Sequence, residues 1–101
     1  MGYYTRHELE IIEGNDYVTE YENEISDLAG YNNCFSDESI KWYNCEQDMK
    51  EYSKKHPNTI FCISGEGEEN EDIWKAYFKN GKMFKTKAII IFEYFSEDKL
   101  Q

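Results

Sequence analysis

The stretch Ser64-Gly65-Glu66-Gly67-Glu68-Glu69-Asn70-Glu71-Asp72 is the first place to look for side-chain chemistry. A Gly-x-Gly turn can cradle phosphate. Here no G-x-G-x-x-G pattern and no Walker lysine follows, and the five acids of the stretch would repel an anion. Carboxylates suit calcium or magnesium better, although the spacing is not that of an EF-hand loop. Two carboxylates can also share acid–base work, as in glycosidases, but no apolar surroundings are in sight to raise one pKa. The plain alternative is a solvated acidic turn, and no metal is assigned. Cys34, Cys45, Cys62 and His56 are zinc-binding and nucleophile-forming types. They lack any Cys-x-x-Cys knuckle, and Cys62 lies inside an apolar run. His7 and His56 read as a strand-surface and a helix-terminus histidine. No nucleophile elbow, zincin or kinase element is present. The expectation is a protein that is not an enzyme and holds no cofactor.

Charge narrows the partners. The chain has 101 residues with 21 acids against 11 bases, a formal net charge of -10. Direct binding to a nucleic-acid backbone or an anionic membrane calls for the opposite sign. A basic partner, or simple solubility, fits. The charge is also uneven. Residues 1–40 hold ten acids against Arg6 alone, whereas residues 73–92 hold Lys75, Lys79, Lys82, Lys85 and Lys87 with no acid. Those lysines either balance the acids internally or form a small anion-binding strip; alternation along a strand favours internal balance. An odd set of three cysteines and no apolar leader point to free thiols in a reducing cytosol. The longest apolar run, Ala88 to Phe92, is far too short to span a bilayer.

The elements that must position these residues follow from periodicity. Tyr3 to Glu13 alternates, with Leu9 and Ile11 on one face and Glu8, Glu10 and Ile12 on the other, which predicts a strand. Tyr17, Tyr21, Ile25 and Leu28 recur at helical spacing, and Gly30 stands where a left-handed C-cap is common. Ile40 to Tyr43 reads as a short aromatic strand. Asn44 and Gln47 resemble a capping box opening a second helix, with a thin stripe of Met49 and Tyr52 that Pro57 ends. Thr59 to Ser64, apolar at consecutive positions, predicts a central strand buried on both faces. Ile73 to Phe78 and Met83 to Phe95 flank Asn80-Gly81, the strongest hairpin signal in the chain. The reading is one α+β domain over residues 1–101, in the order β-α-β-α-β-β-β. Its sheet is mixed, two helices cover one face, and 96–101 is a frayed tail. The uncovered face is either wet or an interaction surface.

Three segments carry a resemblance: Glu8 to Gly14, Ile40 to Tyr43, and the block Ser64 to Lys82, SGEGEENEDIWKAYFKNGK. Together they resemble a family of small acidic proteins from phages, prophages and bacterial genomes, over residues 3–95. The resemblance implies a mobile-element setting and supplies no catalytic residues. By analogy of class it implies an inhibitor of host defence, of the DNA-mimicking or CRISPR-blocking kind.

The leading functional expectation is therefore a non-enzymatic, acidic protein-binding module. It would block a basic, nucleic-acid-binding host protein such as a nuclease or a CRISPR effector. The candidate contact residues are Glu20, Glu22, Glu24 and Asp27 of the first helix and Glu66, Glu68, Glu69, Glu71 and Asp72 of the loop. Trp74 and Tyr77 are the expected exposed anchors. Two alternatives stay open: a small-molecule or divalent-cation binder built on the Gly-Glu loop, and a structural homo-oligomer, such as a homodimer, joined through the uncovered sheet face.

Overall fold

The computed structural model describes residues 4–68, 72–88 and 96–100. The alternating run forms strand β1 (Thr5–Glu13), whose odd positions His7 and Leu9 turn inward while Glu8 and Glu10 face out. Helix α1 (Val18–Ala29) buries Tyr21 and Ile25, four residues apart on one side. It ends where Gly30 takes a left-handed φ of 84° and donates its N–H to the Ser26 and Asp27 carbonyls. Helix α2 (Cys45–Lys54) buries Cys45, Met49 and Tyr52, again one stripe. Strand β2 (Ile60–Gly67) carries Phe61, Cys62 and Ile63, all fully buried. Strands β3 (Ile73–Lys79) and β4 (Lys82–Lys87) follow, joined through Asn80 and Gly81 with φ of 47° and 80°. Both values are left-handed, the backbone a two-residue type I′ turn requires. Glu97–Lys99 form one turn of 3-10 helix.

The protein is α+β, with two helices and a four-stranded open sheet in the order β1-β2-β3-β4, every neighbour antiparallel. Three expectations are corrected. Ile40 to Tyr43 is not a strand: Ile40 makes a single bridge to Thr5, with both backbone hydrogen bonds at 2.9 Å. The chain then turns at once into α2, because Trp42 drops into the core and its carbonyl accepts the Cys45 N–H. With no strand between the helices, no parallel crossover forms, and the sheet is antiparallel rather than mixed. The expected capping box is also missing, since Asn44 makes no side-chain cap and Gln47 donates to Glu51 instead. The last expected strand ran to Phe95; β4 ends at Lys87, and residues 89–95 lie outside the described residues.

Register assigns the two faces. The rows Leu9–Ile63–Ala76, Ile11–Phe61–Phe78–Met83 and His7–Gly65–Trp74 share the helix side. There Leu9, Phe61, Ile63, Trp74, Ala76 and Phe78 pack with Tyr21, Ile25, Met49, Tyr52, Trp42 and Cys34 in one cluster. Phe61 meets the rings of Tyr21 and Tyr52 edge-on at 5.2 and 5.5 Å. Each such buried aromatic contributes about 2–3 kcal/mol, which is how a chain poor in leucine and valine closes a core. The other face carries Glu8, Glu10, Ser64, Lys75, Tyr77 and Phe84. Phe84 is 66% exposed there, its ring 6.4 Å from that of Tyr77.

Candidate functional site

Glu20, Glu24 and Asp27 of α1 stand on the side away from its core stripe and are exposed, whereas Glu22 lies round the helix from them and is half-buried. A step of four residues rises about 6 Å along the axis, so Glu20, Glu24 and Asp27 form a row. Tyr17 and Leu28, both exposed, close its two ends. Glu24 is fixed in place by the Tyr52 hydroxyl, which donates to it at 2.7 Å. Burial pushes the Glu22 carboxyl above its ordinary pKa and the Tyr52 hydroxyl well above its own.

The loop acids belong to another layer. Glu66 lies on the sheet face away from the helices and pairs with Arg6 at 3.1 Å, which raises the guanidinium pKa through that bond. Glu68 is exposed. Glu69 and Glu71 lie outside the described residues. Asp72 returns to the sheet, its carbonyl accepting the Gly67 N–H at 2.9 Å. Trp74 is not an exposed anchor: it is 9% exposed, on the helix side, with its indole lying against Gly65. Tyr77 is half-buried beside Phe84 on the opposite face. The sequence thus nominated acids from two layers and two aromatics from opposite faces, and the fold does not gather them into one site.

A different constellation does converge. A groove of about 560 Å³ opens between the N-terminus of α2 and the β3–β4 edge. His7, Trp42 and Trp74 line it, with Lys50, Lys85 and Lys87 among its charged walls and Glu46 and Asp72 as its two carboxylates. A Cβ on Gly65 would stand 2.1 Å from Trp74 Cε2, so only glycine lets the indole lie across β2 towards His7. The His7 ring meets Trp42 at 5.2 Å and Trp74 at 6.0 Å, both edge-on. Trp42 is held from behind, donating its indole N–H to Asp48 at 2.8 Å. Lys85 lies 4.5 Å over the Trp74 ring and reaches Glu46 at 3.0 Å. Thus one lysine of the basic hairpin is neutralised internally by α2.

His7 is the correction that matters most here. It is 3% exposed rather than on the strand surface, and its Nδ1 has no hydrogen-bond partner among the described residues. Burial lowers its pKa to about 4, so the ring is neutral at pH 7. The signal was present: His7 shares the parity of Leu9 and Ile11. His56 packs among the rings of Tyr21, Tyr52 and Phe61.

The cysteines do not build a reactive centre. All three are free and buried, and burial raises the thiol pKa of each, to about 11 for Cys34. Such thiols are poor nucleophiles. Among the described residues no group of three His, Cys, Asp or Glu side chains is placed to hold a metal ion. No helix of the described residues is long and apolar enough to cross a membrane. No family model, curated protein or solved structure matches the chain.

Proposed function

We propose that this protein is a non-enzymatic, acidic protein-binding module that occupies the nucleic-acid-binding surface of a basic protein. The observation that carries the reading is the unopposed charge of α1. Glu20, Glu24 and Asp27 are exposed in a row, and none forms an ion pair among the described residues. A row of carboxylates at helical spacing offers a basic groove some of what a phosphate backbone offers it, without bases to read. Glu68, just beyond the end of β2, is a further exposed acid in a separate layer. The resemblance to small acidic phage and prophage proteins makes a host defence nuclease or CRISPR effector in a bacterial cytosol the natural partner class.

The test is an affinity pull-down from nuclease-treated bacterial lysate at low and moderate salt, read by mass spectrometry. The bait is the wild type beside a Glu20→Lys/Asp27→Lys/Glu68→Lys variant. These three are chosen because no described side-chain hydrogen bond or ion pair of the fold depends on them. The expected result is a basic nucleic-acid-binding protein retained without nucleic acid, lost as salt rises, and lost with the variant. Equal capture by the charge-reversed variant would overturn the reading.

A further inference from the structure

We propose that the groove at the N-terminus of α2 is a binding site for a phosphate or small phosphate monoester, held by Lys50, Lys85 and Lys87. This site is independent of the acidic row on α1. Four observations converge on it.

First, the lining carries three lysines against two carboxylates in a chain whose net charge is -10. One of those carboxylates, Glu46, is already held by Lys85. Lys50 and Lys87 make no ion pair among the described residues. Second, α2 is a ten-residue helix whose Asn44 provides no side-chain cap. The Cys45 and Asp48 N–H groups bond the Trp42 and Asn44 carbonyls, and Glu46 and Gln47 of the same first turn line the groove. Third, His7 sits in the groove wall almost wholly buried, and its Nδ1 meets no partner among the described residues. A buried polar group with unmet hydrogen-bonding capacity is a cost to the fold, and a small turn of the ring would let an oxyanion in the groove accept from it and recover part of that cost. Fourth, the volume of about 560 Å³ lies within the range of small-ligand pockets and exceeds what a bare ion fills.

The donor types choose among anions. Lysines are point charges without the planar fork that arginine offers a carboxylate, and lysine with helix N–H groups is a recurrent phosphate combination. A dianion also gains more than a monoanion from Lys50 and Lys87, the two lysines of the lining with no ion pair among the described residues.

The experiment uses the groove's own reporters. Trp42 and Trp74 are the two tryptophans of the sequence, and both line the groove. Intrinsic fluorescence is followed during titration with inorganic phosphate, and separately with glycerol phosphate, at ionic strength held constant with sodium chloride. Saturable changes are expected with both probes. Lys87→Glu and Lys50→Glu should each weaken binding about tenfold or more. Lys79→Glu, the same charge change at the far end of β3, should leave it unaltered, as should Glu20→Lys on α1. Tighter binding of glycerol phosphate identifies a monoester as the ligand class; equal binding identifies the inorganic ion. His7→Gln, checked for folding by circular dichroism, should weaken both. Absence of a saturable change with either probe, or an equal loss in Lys79→Glu, would overturn the site and leave the proposal for α1 standing.

Discussion

His7 shows how one buried side chain sets a pH limit on the whole fold. Its ring is packed between two indoles, so charging it inside the protein is costly, and its pKa falls from 6.5 to about 4. The unfolded chain therefore binds a proton that the folded chain refuses between those two values. Stability is fully present above pH 6.5 and falls as the pH drops towards 4, by at most about 3 kcal/mol from this group. The charged groups that line the same groove from α2, the β2–β3 loop and β4 are Glu46, Lys50, Asp72, Lys85 and Lys87, and carboxylate titration adds its own slope. The comparison that isolates His7 is wild type against His7→Gln in urea unfolding at pH 7 and pH 4.5. The wild type should lose more stability between the two; equal losses would show that the ring charges freely in the folded state. Position 7 also shows what was legible in the sequence. Parity with Leu9 and Ile11 placed it inward, whereas residue type suggested the surface, and parity describes the fold.

At the scale of elements, close approaches decide which strands and helices meet. Gly65→Ala should destabilise by about 1–3 kcal/mol, because the new methyl would overlap the Trp74 indole and push it off β2. The same variant should shift tryptophan emission, and an unchanged denaturation midpoint would mean the indole has another resting place. Ser53 ties α2 to the hairpin: its buried hydroxyl donates to the Lys50 carbonyl and accepts the Gly81 N–H, each at 2.8 Å. Ser53→Ala leaves the Gly81 N–H without that partner and should cost about 1–2 kcal/mol, measured by denaturant unfolding. Neither contact could be read from the chain, since each joins positions far apart in sequence. The strands themselves could be read where alternation or full burial was strong, as in Thr5–Glu13 and Ile60 to Ser64, whereas Gly65 to Gly67, expected as loop, continue β2. Ile40 to Tyr43 misled because aromatic content suggests a strand equally well when the aromatic is a core residue on a turn into a helix.

At the scale of the whole molecule, charge is divided between the two edges of the sheet. The β1 edge and the α1 layer carry Glu8, Glu10, Glu13, Glu20, Glu24 and Asp27, while the β3–β4 edge carries Lys75, Lys79, Lys82, Lys85 and Lys87. Of the five hairpin lysines only Lys85 makes an ion pair among the described residues, with Glu46 across α2 and β4; the other two pairs there are Lys54–Glu51 within α2 and Arg6–Glu66 on the sheet. Exposed pairs of this kind contribute little. Repulsion among the acids is therefore left largely unanswered. Added salt shortens the screening length from about 30 Å at 0.01 M to about 8 Å at 0.15 M. The melting temperature should rise over that interval, because screened repulsion outweighs screened attraction in a chain with 21 acids and 11 bases. Glu20→Lys/Asp27→Lys should raise it further at low salt and flatten its salt dependence. A fall in melting temperature with salt would instead mean that the lysine edge already balances the acidic one. The direction bears on function. If the α1 row lowers stability and its reversal abolishes capture of a basic partner, the same carboxylates act oppositely on folding and on binding, as residues of a binding surface do. If reversal changes stability alone, the row is ordinary solvation, and the groove at α2 becomes the main functional surface of the molecule.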